Sequence, residues 1–257
     1  MNITTFNINS VRARLHLLPQ WLDERQPDVL CLQEIKCQEH EFPLDVFTER
    51  GYHVAISGQK TYNGVAIASK QPLDDVAIDL PLRGDEQARG IAVTTGGVRV
   101  INVYVVNGKA VDDEKYTYKL RWLDALVDRV GAEVAAHRDV VVCGDFNICP
   151  SDEDTWDAKK WKDGIFCTVD ERARFQALLD LGLHDAFREK YPDAWGRYAH
   201  TWWDFRGRGF PRGFGLRIDH FLVSASVMAR TSAVVIDRDA RKLDKPSDHA
   251  PVTLQLD

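Results

Sequence analysis

The chain has 257 residues, 44% apolar and 28% charged, with a formal net charge of −6 and a pI near 5.8. That length suffices for one large domain or two small ones, and it buries a core without disulfides or structural metal. The acidic balance argues against a surface that wraps nucleic acid by overall charge.

Met1 leads straight into a β-like run, Ile3 to Ile8, so we expect no signal peptide. No stretch approaches the ~18 apolar residues of a membrane span. The cysteines are Cys31, Cys37, Cys143, Cys149 and Cys167, with no C-x-x-C pair. This argues against zinc or a disulfide frame and for free thiols in a reducing cytoplasm.

In chain order, the pattern predicts a strand over Asn2 to Asn9 and a helix over Val11 to Arg25, with Leu15, Leu18 and Leu22 at helical spacing. Pro27-Asp28 breaks it, and a buried-strand run follows from Val29 to Gln33. Further strands are read at Tyr52 to Ser57, Gly64 to Ser69, Ile91 to Thr95 and Arg99 to Val106, separated by Gly, Pro and Asp. A long helix fits Lys115 to Ala136, with Leu123, Leu126, Val127, Val130 and Val134 on one face. Asp139 to Gly144 reads as a strand that stops at Asp145. A loop with Trp156 and Trp161 precedes a helix at Asp170 to Leu181, and strands close the chain at Ile218 to Ser224, Ser232 to Asp237 and Pro251 to Leu256. No Pro-, Gly- or Ser-rich linker divides the halves. We expect one domain over residues 1–257, an α/β sandwich of two packed sheets with helices outside.

Four of the apolar runs end in, or follow, carboxylates and amides. Asn7 and Asn9 sit in T-F-N-I-N, Gln33 and Glu34 follow V-L-C-L, Asp145 and Asn147 follow V-V-V-C-G, and Asp248 and His249 precede A-P-V-T-L. Neighbouring strands would gather these groups into one oxygen-rich site, which suits Mg²⁺ or Mn²⁺ rather than zinc. A lone G-D-x-N turn is more often a strand end with aspartate capping a loop; Glu34 alone also reads as a surface residue, and Asp248-His249 alone as a helix cap or a loop pair. The conjunction carries the weight. Between Thr201 and His220 stand Arg206, Arg208, Arg212 and Arg217 against Asp204 and Asp219, a local basic island that is either a solvated loop or a phosphate contact.

These motifs resemble the endonuclease/exonuclease/phosphatase superfamily, whose fold is a DNase I-like four-layer α/β sandwich of two packed mixed β-sheets flanked by helices. Narrower features are similar to its exonuclease III branch of abasic-site endonucleases. They are S-V-R-A-R at 10–14, L-Q-E-I-K at 32–36, G-Q-K-T-Y-N-G-V-A-I at 58–67, I-N-V-Y at 101–104 and G-D-F-N-I at 144–148. T-W-W-D-F-R at 201–206, G-L-R-I-D-H at 215–220 and K-P-S-D-H-A-P-V at 245–252 complete the set. Together they run from residue 1 to about 255.

The resemblance implies a role for each matched residue. Glu34 is the main metal ligand, with Asn7 and Asp248 nearby and Asp145, Asn147 and His249 around the same Mg²⁺ or Mn²⁺. Asp145 orients or deprotonates the attacking water, and Asn147 holds the scissile phosphate. His249, oriented by Asp219, contacts that phosphate, Tyr104 lies by the phosphate or leaving oxygen, and Asn9 helps order the metal site. Trp202, Leu216 and Ile218 wall a slot for the exposed sugar, Arg206, Arg208 and Arg212 reach backbone phosphates, and Arg89 lies near the DNA backbone. The implied partner is double-stranded DNA carrying abasic sites or blocked 3′ ends, and the implied state is a cytoplasmic monomer.

Two departures matter. Family members commonly read Y-x-P-N-G, whereas this chain reads Tyr104-Val105-Val106-Asn107-Gly108, losing a rigid proline. Phe166, in G-I-F-C, brings bulk toward the expected slot, or else packs in the core. In the slot it disfavours internal abasic sites and leaves 3′-end cleaning as the main activity. Two competing classes are an enzyme acting on lipid or inositol phosphates, against which the tryptophan–arginine segment argues, and a non-catalytic DNA-binding relative, against which the intact polar set argues.

Overall fold

The structure, a computed structural model, describes residues 1–78, 80–82 and 85–257. The first sheet has the order β13 (Thr231–Ile236), β14 (Val252–Leu256), β1 (Asn2–Asn7), β2 (Val29–Gln33), β4 (Val65–Ser69), β3 (His53–Ser57). The second runs β5 (Asp74–Ala77), β6 (Gly90–Thr95), β7 (Val98–Tyr104), β8 (Val140–Asp145), β12 (Asp219–Ser224), β9 (Leu183–Asp185). A two-stranded ribbon pairs β10 (Trp202–Trp203) with β11 (Gly215–Leu216). Each six-stranded sheet is mixed: β1–β2 and β7–β8 are parallel, and the other pairs within the two sheets are antiparallel.

The two sheets face one another across Ile3, Val29, Cys31, Val65 and Ile67 from one side and Val93, Val100, Val141, Cys143 and Phe221 from the other. Helices Glu114–Ala136 and Val169–Asp180 cover the outside of the second sheet, and Leu18–Arg25 covers the outside of the first. Central strands are therefore buried on both faces, and β2 and β8 read as continuous apolar runs rather than alternating ones. The architecture is the four-layer sandwich with mixed sheets that the motifs imply. All five cysteines are free and buried. Among the described residues no helix is long and apolar enough to cross a membrane.

The expected helix over Val11 to Arg25 is corrected. The chain makes one 3₁₀ turn at Arg12–Arg14 and then a helix only from Leu18 to Arg25. Pro19 explains the break: its ring clashes with the carbonyl four residues back and it donates no N–H, so it fits only in a first turn. The first strand ends at Asn7 rather than Asn9, because Asn9 and Ser10 turn with φ of +48° and +83°. Strands β5, β9, β10 and β11 and the helix Ala186–Lys190 escaped the periodicity reading, since two- to five-residue elements carry too few repeats.

The basic island is also revised. Arg217 is 1% exposed, with its guanidinium 2.6 Å from Asp154 and 2.9 Å from Asp185. Arg188 adds a second cation 2.8 Å from Asp154. Burial alone raises the Asp154 carboxyl, but Arg217 and then Arg188 outweigh it and hold Asp154 well below the ordinary carboxylate range. This network ties the loop after β8 to the segment entering β12, and so fixes the approach to the polar cluster.

A depressed folded-state pKa adds stability that is complete above the unfolded aspartate pKa of ~4 and is lost as pH falls through the folded value. Removing one member of such a buried pair typically costs about 3–5 kcal/mol. In urea titrations at pH 7 we expect Asp154→Asn to cost that much. The neighbouring Asp152→Asn, whose side chain is 58% exposed beside Arg172, should cost under ~1 kcal/mol. Equal costs would remove Arg217 from its structural role.

Candidate active site

Strand register places the polar cluster at one end of both sheets. In the parallel β1–β2 pair Asn7 stands opposite Gln33, so Asn7 and Glu34 emerge together. In the parallel β7–β8 pair Tyr104 stands opposite Asp145, and in the antiparallel β8–β12 pair Asp219 stands opposite the same Asp145. Asp248 and His249 precede β14, which lies against β1. Gly144 makes the crowding possible: at φ +144° a Cβ there would lie 1.9 Å from the Val103 carbonyl oxygen.

The side chains then meet. Asn7 Nδ2 donates to Glu34 Oε1 at 2.8 Å and to Asp145 Oδ2 at 2.9 Å. Lys36 Nζ sits 2.7 Å from Glu34 Oε2 and donates to Asn9 Oδ1 at 2.6 Å. Asn9 Nδ2 and Trp202 Nε1 each donate to Asp248, at 2.8 and 2.9 Å. His249 Nδ1 donates to Asp219 at 2.9 Å, and its Nε2 lies 3.7 Å from Asp145 Oδ2. The Asn147 backbone N–H donates to Asp145 Oδ1 at 2.9 Å, while Asn147 Nδ2 reaches the Val105 carbonyl at 3.0 Å.

The electrostatics follow from burial and like charge. Burial pushes Asp145 up to about 7; His249 and Asn7 oppose this, while Asp219 and Glu34 add to it. Burial would lower His249, but Asp219 and then Asp145 outweigh it and carry the imidazole up to about 10. Both neighbouring carboxylates thus favour the protonated ring. Burial raises Glu34, yet Lys36 and Asn7 bring it below its ordinary value. Asp248 is likewise lowered, with His249, Trp202 and Asn9 outweighing burial. The Tyr104 phenol is pushed well up by burial and then by Glu34, and Arg89 stacks over its ring at 4.8 Å.

Ligand atoms of Glu34, Asp145 and His249 lie within 4.8 Å of one another, a possible carboxylate–histidine metal site. The donor chemistry fits a hard divalent cation through the two carboxylates, whose mutual repulsion such a charge relieves. His249, held through Nδ1 by Asp219, turns Nε2 toward Asp145, and Asn7 donates its NH₂ to both carboxylates, so each is fixed in orientation at the edge of this site.

Next to the cluster, Leu216 and Ile218 are buried and Trp202 is half-buried, and Trp202 bridges by backbone to His249. Phe166, 6% exposed, packs into this apolar group, its ring centroid 6.5 Å from that of Trp202. The paired tryptophans have separate fates: Trp203 is core at 0% exposure, and Trp202 faces the cluster. Arg206, Arg208 and Arg212 lie on the exposed turn beyond them. Arg206 folds onto Asp204 at 2.7 Å and Arg212 stacks over Phe214 at 4.1 Å; neither bonds to the cluster among the described residues. Arg89 is nearly buried, its Nη1 3.3 Å from the Tyr104 carbonyl oxygen.

Sequence reasoning passed over Lys36, Asn107 and Lys119. Lys36 stood inside L-Q-E-I-K, and Lys119 was legible as one cation in helical register with Leu123, Leu126 and Val130.

Fold and site together define a phosphoester hydrolase with a carboxylate-rich catalytic cluster. The chain belongs to the endonuclease/exonuclease/phosphatase family, whose pattern it matches over residues 4–249. It is similar to exodeoxyribonuclease III of Haemophilus influenzae, 36% identical over 98% of both chains. Two solved structures cover the whole chain and 99% of their own lengths. One is described as the 3′ phosphatase NExo from Neisseria bound to a product DNA hairpin (47% identity, TM-score 0.97). The other is an AP endonuclease from Archaeoglobus fulgidus (37%, 0.95). The protein is thus an enzyme, a phosphodiester hydrolase of the exodeoxyribonuclease III and AP endonuclease type, and a DNA-repair nuclease.

Mn²⁺ binding, read from loss of the free-ion spin-resonance signal, should saturate in the parent protein and weaken at least ~10-fold in Glu34→Gln. Unaltered binding in that variant would place the cation elsewhere.

Proposed function

We propose that this single-domain protein is a Mg²⁺- or Mn²⁺-dependent nuclease of base excision repair that acts as a cytoplasmic monomer on damaged duplex DNA. It hydrolyses the phosphodiester 5′ to abasic sites and removes blocking groups from 3′ ends. The observation that carries this reading is the placement of the Glu34–Asp145–His249 cluster directly beside the Trp202, Leu216 and Ile218 wall. Hydrolytic machinery and an apolar sugar slot in one place suit a lesion that lacks its base.

Glu34 and Asp145 would hold the cation, which when bound neutralises phosphate charge and the charge growing on its oxygens. Asp145 orients the attacking water and accepts its proton. His249, kept charged by Asp219, donates to a non-bridging phosphate oxygen. Asn147, two residues after Asp145 and bonded to it through its backbone N–H, positions the same phosphate. Tyr104 keeps its phenolic proton, which suits donation toward the leaving oxygen. Arg206, Arg208 and Arg212 stand on the exposed turn, where Arg206 would exchange Asp204 for a backbone phosphate and each phosphate contact steepens the salt dependence of binding.

One observation favours a second reading, a specialised 3′-end-processing enzyme with weak abasic-site incision. Phe166 packs against the apolar wall that an extruded sugar would need, and a terminal 3′ phosphate ester requires no such extrusion. The Neisseria relative at 47% identity is described as a 3′ phosphatase. Val106, which stands where the resembled Y-x-P-N-G pattern has proline, is 4% exposed and packs in the core beneath the outer helices.

The test uses two labelled duplexes, one with an internal abasic analogue and one with a 3′-phosphoglycolate at a nick, each with Mg²⁺ and with EDTA. Metal-dependent cleavage of both supports the first reading, and of the second alone the specialised one. Cleavage of neither sinks the proposed substrates. Asp145→Asn should lower kcat by ~10²–10⁴ with little change in KM.

A further inference from the structure

Lys119 is fully buried on the inner face of helix Glu114–Ala136, an unusual place for an ammonium group. Its Nζ lies 2.5 Å from Glu171 Oε1 and donates to the Asn147 carbonyl at 2.7 Å and the Asn107 carbonyl at 3.3 Å. The same Nζ sits 5.1 Å from the centre of the Phe166 ring. Glu171 is equally buried, and its Oε1 also accepts the Phe166 backbone N–H at 3.1 Å. Its Oε2 takes the Thr168 N–H and hydroxyl at 3.0 and 2.8 Å, closing the N-terminus of helix Val169–Asp180.

Three loops converge on this one ion pair. The first follows β7 and carries Asn107, and there a Cβ on Gly108 would lie 2.8 Å from Ile165 and 3.1 Å from the Lys119 stem. The second follows β8 and carries Asn147. The third carries Phe166, whose backbone φ of +76° is in the left-handed region that a bulky aromatic residue rarely adopts. Such a conformation persists only where its surroundings over-determine it. Here the Glu171 carboxylate, the Cys149 N–H on the Phe166 carbonyl at 2.8 Å and the ammonium at its ring supply that constraint.

We propose that Lys119 and Glu171 are positioning residues that set substrate choice. Their pair clamps Phe166 against the Trp202–Leu216–Ile218 wall and Asn147 beside Asp145, so that the enzyme prefers a terminal 3′ phosphate ester over an internal abasic site. This rests on the second reading of the proposed function, the 3′-end-processing enzyme. A buried ion pair is often no better for stability than neutral groups of its size.

The experiment compares Lys119→Met/Glu171→Gln, which removes both charges and leaves no buried ion unpaired, with Phe166→Gly and with the triple variant. On the two duplexes above, the charge-free variant should raise the ratio of abasic-site incision to 3′-end removal at least ~10-fold. Phe166→Gly added to it should raise the ratio little further, because both act through one element. KM on the 3′-end substrate should stay near that of the parent while kcat falls. A uniform fall of both activities at constant ratio would reduce the pair to a stability element and overturn the proposal, as would a ratio that moves in Phe166→Gly alone.

Amide hydrogen exchange over residues 163–168 reads the clamp without any DNA. Exchange there should quicken ~10-fold or more in the charge-free variant, with the sheet strands unchanged; unaltered protection refutes the clamp. A parent enzyme inactive on both duplexes, with the exchange result as expected, would instead count against the proposed substrate.

Discussion

The site depends on the double pairing of β8. One strand is hydrogen-bonded on one side to β7 and on the other to β12, and that register sets Tyr104, Asp145 and Asp219 in a row. A one-residue slip on either side would turn the partner side chain to the opposite face and dismantle the row. Asp145 is consequently held where water cannot screen it, between Asp219 and Glu34, and its raised pKa follows from position alone. Asn7 from the other sheet crosses to it, so the active end is also where the two sheets are locked together.

Concentrating carboxylates at a sheet end has a structural cost, and the backbone carries part of it. Asn9, Ser10, Glu34, Lys36, Asn147 and Phe166 all have positive φ, between +48° and +83°. Each such conformation costs a non-glycine residue about 1–3 kcal/mol. These residues surround the cluster, and the bonds that hold them are those that aim the catalytic groups. Lys36 bonds both Glu34 and Asn9, and the Lys119–Glu171 pair underlies both Asn147 and Phe166.

Charge is partitioned by burial. In a chain of net charge −6, the arginines of one short segment divide between two tasks. Arg217 is buried between Asp154 and Asp185, while Arg206, Arg208 and Arg212 remain on the exposed turn. The arrangement lets an acidic protein present cations locally without placing them in its acidic cluster.

The convergence of the polar groups was legible in the sequence, because T-F-N-I-N, L-Q-E, G-D-F-N and S-D-H each place carboxylates, amides or an imidazole beside an apolar strand, and strand neighbours share an end. The layered fold was legible for the same reason: long apolar runs and the face of helix Glu114–Ala136 have clear periods. Short elements such as β9 to β11 had no period to read, and Pro19 overrode the leucine spacing that suggested a helix from Val11. Which arginine is buried, that Trp203 is core while Trp202 faces the cluster, and that Lys119 supports the loops of Asn147 and Phe166 were decided only in three dimensions. Those outcomes depend on partners far away in sequence, 63 residues for Arg217–Asp154 and 52 for Lys119–Glu171. Local pattern determines what a residue can do, whereas strand register and burial determine which residue it meets.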